Sequence, residues 1–336
     1  MQADFHYYAI YAICRIAHIN EDASKVIAYA SQHTDDAKYD HPLHFKNGGR
    51  FEQEMSAHEF LSPEVFSEYT TYDLFLPFHF LPGFIGDTFQ EKIVCRKNSK
   101  LALEMLSNSI ETLGKPFGLY RLGIILHTYA DTWAHDGFSG IMSGLNDIYS
   151  LHSESNNIFD EIKENYFNFA PNLGHAQVAK YPDLPYQNWN YMDYNHKQVC
   201  CNNTLKYLDA SKSIYIFLTE GLHDKLPEIF THHEFKPWDN YSGLFKELFS
   251  YKGSMEDRIR YWESQFENNH FNFITSDFYN DREWFKQAVK VTKNSKDEYE
   301  WLPGFSNSDW KLFQDALIYQ KFYIKHLLLP KYEIYT

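Results

Sequence analysis

Cysteine is scarce in this chain. Cys14, Cys95, Cys200 and Cys201 are the only four in 336 residues, two of them adjacent and none in a C-x-x-C pair. That excludes the disulfide framework of a small secreted fold and suits structural thiols in a reducing compartment. Long apolar runs are missing as well. Nothing approaches the ~20 residues of a membrane span. The opening Met-Gln-Ala-Asp-Phe-His lacks the basic region and apolar stretch of a signal peptide. The expectation is a soluble, cytoplasmic protein with no membrane span. Positive charge is in deficit, with 31 Lys and Arg against 45 Asp and Glu, a net −14. Such a balance argues against a broad basic surface that tracks nucleic acid, and leaves room for a metal site handling one phosphate. There is no internal repeat, no low-complexity tract and no sustained alternation of β-branched residues.

What the chain has is aromatic side chains and histidine: 26 Tyr, 28 Phe and 17 His, with aromatics at 18%. The apolar spacing is helical almost throughout. Residues 5–18 carry Phe5, Ala9, Ile10, Ile13 and Ala17 at helical intervals, and Asn20 and Asp22 are candidate caps for a helix over 21–36. Further helices are expected at 86–113, 117–135, 155–169 and 194–222, with a short one capped by Ser62-Pro63. Beyond them, helical segments fall near 224–232, 240–251, 254–269, 280–292 and 308–328. Leu76-Pro-Phe-His79-Phe-Leu-Pro-Gly83 is too proline-rich for a helix and reads as an apolar loop that aims His79 inward. The fold class predicted is all-α. A core over 1–225 would carry a helical C-terminal extension over 226–336 packed on it.

The segment from Gly123 to Gly140 organises the rest. His127, Asp131 and His135 stand at i, i+4 and i+8, and each step of four drifts only about 40° on a helix, so they share one stripe. Leu122, Ile125, Leu126, Tyr129 and Trp133 surround that stripe with apolar surface. Imidazoles and a carboxylate are costly to bury unless they pair or bind a metal. Two readings follow: a private His–Asp–His hydrogen-bond ladder, or metal ligands. Other polar residues in apolar or punctuated surroundings are His6, Asp35 or Asp36, His79, His175 and Asp183. Imidazoles with carboxylates are the ligand set of zinc or a similar divalent ion.

The order of these residues resembles the zinc-dependent phospholipase C and single-strand-specific nuclease superfamily, including a bacterial branch that shares the Asp131-Thr-Trp-Ala-His135 segment. His6 matches that pattern's first His, Asp35 or Asp36 its early Asp, and His79 its loop His. His127 and Asp131 match the central pair, His135 the His beyond it, and His175 with Asp183 the last pair. The resemblance covers roughly residues 1–225. It implies a helical bundle of the phospholipase C type and a cluster of two or three Zn2+ ions. One ion would take Asp35 or Asp36, His79, His127 and Asp131, and a second His135, His175 and Asp183. A third would share Asp131 with His6 and either the Met1 amine or the Asp4 carboxylate. His135 follows Asp131 more closely than in the superfamily. Asp183 lies eight residues after His175, so the loop with Pro182 and Pro185 must fold it back.

Ions so held would lower the pKa of a bridging water and clamp the phosphate oxygens of an in-line displacement, with Asp35 or Asp36 as the base. His33, Gln32 and Asp136 are candidate partners for the ligand imidazoles. The charge balance favours a phospholipid or its head group over nucleic acid as the phosphoester substrate. Aromatic residues near the ligands (Tyr7, Tyr8, Phe78, Phe80, Trp133 and Phe138) could cage a quaternary ammonium or simply pack the core. The alternatives are a single-strand nuclease, a small-molecule phosphomonoesterase, and a non-enzymatic helical protein with structural histidines.

Overall fold

The computed structural model describes residues 1–58, 67–153, 170–293 and 297–336. A π-helical stretch, Asp4–Ala9, continues into α1 (Ile10–Ile16). The Asn20 side chain then accepts from the Ala23 N–H at 2.9 Å. That N-cap bond satisfies one of the unpaired donors at the start of α2 (Glu21–Asp36). A short ribbon, β1 (Leu43–His44) with β2 (Arg50–Phe51), follows. After it come a second π-helical stretch, Thr70–His79, α3 (Phe89–Lys92) and α4 (Lys100–Ser109).

The next helix, α5 (Gly118–Ala134), is buried on every side apart from Leu119. Burial on all sides puts this helix at the centre of a multi-helix body, with its polar residues Arg121, His127 and Asp131 buried along with the apolar ones. Helices α2 and α4 and the Thr70–His79 stretch pack against it. The α2 contact is backbone to backbone. A Cβ on Gly123 would lie 2.3 Å from the Ile27 carbonyl oxygen and 2.7 Å from the Ala30 Cβ. Only glycine allows this approach, and it brings the last turn of α2 to the face of α5 that carries His127.

Beyond α5 runs a three-stranded antiparallel sheet of β3 (Tyr149–Ser153), β4 (Asn188–Met192) and β5 (Gln198–Asn202). Asn202 caps α6 (Asn203–Ile216), which also packs on α5. The C-terminal part comprises α7 (Asp239–Ser250), α8 (Met255–Glu267), α9 (Glu283–Ala288), the hairpin β6 (Val289–Lys293) with β7 (Asp297–Trp301), and α10 (Asp309–Phe322).

The all-α expectation is therefore corrected: among the described residues 54% are helical, 12% are strand, and three small antiparallel sheets make the fold mixed α/β. The strands are two to five residues long, too short for a sustained period-2 signal. In β4 the alternation is present, with Trp189 and Tyr191 buried between half-buried Asn188 and Asn190. The helix expected over 194–222 begins as the turn before β5 and the strand Gln198–Asn202, and is helical only from Asn203. The one expected over 280–292 stops at Ala288, where Val289 and Val291 continue as a strand. The stretch expected over 86–113 is α3 and α4 separated by bridges from Val94 to Ser139 and from Cys95 to Pro82. The proline-rich segment is helical after all, in π form: Pro77 lies inside Thr70–His79, and the Phe80 N–H closes on the Phe75 carbonyl at 2.7 Å. The helix expected at 155–169 and the one capped by Ser62-Pro63 lie outside the described residues.

One hydrophobic cluster runs from Met1 and Phe5 to Ile334 and includes side chains of α7, α8, α9 and α10. The C-terminal part, which contains a hairpin as well as helices, thus shares the core of the first 225 residues. Each large side chain fully buried there is worth roughly 1.5–3 kcal/mol. A smaller cluster of Phe80, Phe138, Val178, Tyr181, Trp189, Tyr191 and Cys201 lies behind the candidate site. All four cysteines are free. Among the described residues, no helix is long and apolar enough to cross a membrane.

Candidate metal centre

Five separate pieces of chain deliver their polar groups to one place. The first residue brings its α-amine, and the π-helical stretch behind it brings His6. The last turn of α2 brings Asp35, and the end of the second π-helical stretch brings His79. Helix α5 contributes His127 and Asp131, with His135 as its C-cap, whose N–H closes on the Asp131 carbonyl at 2.9 Å. The loop after residue 170 contributes His175 and Asp183. Two 3-10 turns, Ala176–Val178 and Tyr181–Asp183, curl that loop so that Asp183 returns to His175 across eight residues. Gly174 sits at φ +53° directly over the Phe80 ring, where a Cβ would lie 2.7 Å from Phe80 Cζ.

Asp131 is the hub. Its Oδ1 lies 2.8 Å from the Met1 amine and 3.2 Å from His6 Nε2. Its Oδ2 lies 3.2 Å from His79 Nδ1 and 3.3 Å from His127 Nε2. Asp35 faces the same nitrogens, Oδ1 being 3.7 Å from His127 Nε2 and 3.8 Å from His79 Nδ1. On the other side, Asp183 Oδ1 is 3.2 Å from the Met1 amine and Oδ2 is 3.8 Å from His175 Nε2. Three ligand groups result, each with donor atoms within 4.8 Å of one another: His6, His127 and Asp131; Asp35, His79 and His127; His135, His175 and Asp183.

The donor set fits divalent ions. His79 Nδ1 and His127 Nε2 converge to 3.1 Å, and two imidazole nitrogens approach so closely only through a shared proton or a shared cation. His6 and His127 are fully buried, His6 Nδ1 and His127 Nδ1 lack a hydrogen-bond partner among the described residues, and His6 Nε2 faces Asp131 Oδ1 at 3.2 Å. Orphaned buried nitrogens of this kind are costly unless something else binds them. Backbone carbonyls hold the remaining rings. His79 Nε2 donates to Ser56 O at 2.9 Å, His135 Nδ1 to His79 O at 2.7 Å and His175 Nδ1 to Ala179 O at 2.8 Å. Each bond commits one nitrogen and leaves the other for the centre, as outer-shell partners of metal-binding histidines do. Phe80 stacks on His135 at 4.2 Å and fixes its plane.

The carboxylates favour the protonated form of two of these groups, and burial disfavours it in two others. Burial disfavours the Met1 ammonium, but the Asp131, Asp183 and Asp35 carboxylates overcome it and push its pKa up to about 11. Burial also opposes charge on His79, yet its bond to Asp131 and the Asp35 carboxylate raise its pKa. His6 and His135 go the other way, because burial outweighs the pull of Asp131; His135 falls to about 3. Burial acts to raise Asp131, but the ammonium and the His135, His127 and His6 imidazoles hold it well below the usual carboxylate range. Asp35 is raised by burial against the opposing pull of His127 and His79.

Other residues singled out in the sequence lie elsewhere. Asp36 points away from the ligands and accepts from Tyr279 Oη at 2.7 Å and Gln32 Nε2 at 3.0 Å. Asp4 is paired with Arg258, whose Nε lies 2.6 Å from its Oδ2. His33 Nδ1 meets Tyr279 Oη, Asp136 accepts from the Lys97 N–H and Gln32 turns to Asp36, so these three bond groups other than the ligand rings. Tyr7, Tyr8, Phe78, Trp133 and Phe138 are buried in the core. Trp133 donates to Asp209 and Phe138 stacks on Tyr191.

A cleft of about 710 Å³ opens onto the cluster. Its apolar wall is Phe75, Phe80, Leu173, Met255 and Ile259, and Lys38 is the one Lys or Arg that lines it among the described residues. Sequence reasoning missed Phe75, Met255, Ile259 and Tyr279. The last three come from the C-terminal part, which no motif tied to the site.

A protein with this hub defines a candidate polynuclear metal centre in a mixed α/β fold. The chain belongs to DUF6765, a family of unknown function, whose profile matches residues 1–328 and so spans both the ligand-bearing part and most of the C-terminal part. No curated protein and no solved structure matches it at a significant level.

Proposed function

We propose that this protein is a metal-dependent phosphoester hydrolase, with two or three Zn2+ ions held by the groups around Asp131. The observation that carries the reading is the bridging position of Asp131, one oxygen toward Met1 and His6 and the other toward His79 and His127. The order of the same residues resembles the zinc-dependent phospholipase C and nuclease superfamily. Divalent ions at such a centre would polarise phosphoryl oxygens and acidify the water that attacks phosphorus.

The chain's own residues supply the rest. Asp35 reaches the cleft with its side chain 30% exposed, so one of its carboxylate oxygens is placed to accept the proton of the attacking water. Lys38 meets the phosphate charge at the rim, and Phe75, Phe80, Leu173, Met255 and Ile259 shield the organic part of the ester. With Lys38 the one Lys or Arg lining the cleft among the described residues, and a net charge of −14, a small phosphodiester, a phospholipid or its head group, is favoured over a nucleic-acid backbone.

A panel of chromogenic esters on zinc-loaded protein tests the proposal. Bis-p-nitrophenyl phosphate and p-nitrophenylphosphorylcholine are expected to be cleaved faster than p-nitrophenyl phosphate or single-stranded DNA. Preference for p-nitrophenyl phosphate would make the protein a phosphomonoesterase. No turnover of any of the four would remove the hydrolase reading.

A further inference from the structure

The residues that follow Met1 are gripped from the far end of the chain. Arg258 stands in the first turn of α8, which a Ser254–Asp257 capping box starts, and it is 2% exposed. Each of its three guanidinium nitrogens is engaged: Nε donates to Asp4 Oδ2 at 2.6 Å, Nη2 to Gln2 Oε1 at 2.5 Å and Nη1 to Gly253 O at 2.9 Å. The Tyr186 ring lies 5.7 Å from its central carbon. Asp4 turns its other oxygen to the Phe5 N–H at 3.1 Å, and the Gln2 carbonyl accepts from Phe5 N–H at 2.9 Å and His6 N–H at 3.0 Å. One buried guanidinium thus fixes residues 2 and 4 on either side of a backbone turn. The Met1 amine is at one end of that turn and His6 at the other.

Asp131 and Asp183 attract any cation that reaches them, so they do not by themselves decide where an amine sits. Geometry does, and that geometry comes from residues 2–6. A buried ion pair contributes little net stability, because desolvation offsets most of the attraction. What this pair contributes is a fixed position for the chain's first residues. We infer that Arg258, acting through Asp4 and Gln2, is the positioning residue that seats the Met1 amine against Asp131 and Asp183. The C-terminal part therefore completes the centre, both with this clamp and with Met255 and Ile259 of the same helix in the cleft wall.

Two readouts test the inference, and only the second rests on the metal-centre reading proposed above. The first is acylation of the Met1 α-amine by an amine-reactive ester, followed by mass spectrometry of the N-terminal peptide with lysines as internal standards. The second is zinc bound per chain. A single substitution would strand the other charge in the core, so the main variant is the double Asp4→Asn with Arg258→Gln, and Arg258→Lys keeps the charge without the fork. In the folded double variant, acylation of Met1 is expected to rise about tenfold or more over the wild type, and zinc to fall by one ion per chain. Arg258→Lys is expected to lie between, and carries the comparison if the double variant does not fold. A folded variant whose Met1 stays as protected as in the wild type overturns the clamp, whatever its zinc content. If the wild type binds no zinc but the acylation difference appears, the clamp stands and the metal reading falls.

Discussion

Asp131 and its neighbours show how a residue's place on a helix decides its job. Trp133 is two residues beyond Asp131, about 200° around the helix, so it faces α6 and bonds Asp209 rather than lining the cleft. The same rule separates Asp35 from Asp36. Ile27, Ser31 and Asp35 are spaced by four on the face that meets α5, whereas Asp36 continues the Gln32 face toward Tyr279. The sequence left both carboxylates open, because the choice depends on which face of α2 meets α5. The orienting partners of the histidines were not legible either, because the carbonyls of Ser56, His79 and Ala179 leave no trace in residue identity. His33 illustrates a residue that is buried without being part of the centre. It packs on Phe313 at 4.8 Å and on Tyr29 at 5.5 Å. Burial, against the pull of Asp36 and Asp281, lowers its pKa from 6.5 to about 4. The unfolded chain then binds a proton that the native protein refuses, so this contribution is intact above 6.5 and is lost as pH falls toward 4. It amounts to about 2 kcal/mol by pH 5. Urea unfolding at pH 7 and pH 5 is expected to show that difference shrinking in His33→Gln; an unchanged pH dependence would mean that His33 titrates normally.

At the scale of elements, the pairing of α2 with α5 matters most, since it sets Asp35 opposite His127. Helix α2 was readable from its cap and period, and α5 from its apolar stripe. That they touch through Gly123 was not, because a glycine on a helix carries no mark of what it approaches. Gly123→Ala would put a methyl group against the Ile27 carbonyl. The expected cost is about 1–3 kcal/mol of stability, with weaker metal retention because Asp35 moves off His127. A variant as stable as the wild type would contradict so close an approach. The sheets escaped the sequence reading for a different reason. Strands of two to five residues carry too short an alternation to stand out, and β3 pairs with a partner distant in sequence, β4. The aromatic alternation in Asn188-Trp-Asn-Tyr-Met was the one local hint.

For the whole molecule, the boundary drawn near residue 225 from the extent of the resemblance does not mark a gap in the core. Tyr8 bonds Glu263, Tyr29 bonds the Asn280 carbonyl and stacks on Trp284, and Tyr279 caps Asp36. The family match over 1–328 covers the same extent. Aromatic side chains, read from composition as pocket or packing, take part in this joining of the two ends of the chain. Everything proposed for the centre depends on the groups around Asp131 holding metal, and the zinc content of the protein decides that. After loading with excess zinc at pH 7.5 and desalting, elemental analysis is expected to find two or three ions per chain in the wild type and a loss of at least one in Asp131→Ala. Less than one ion per chain in the wild type, or full retention in Asp131→Ala, would contradict it.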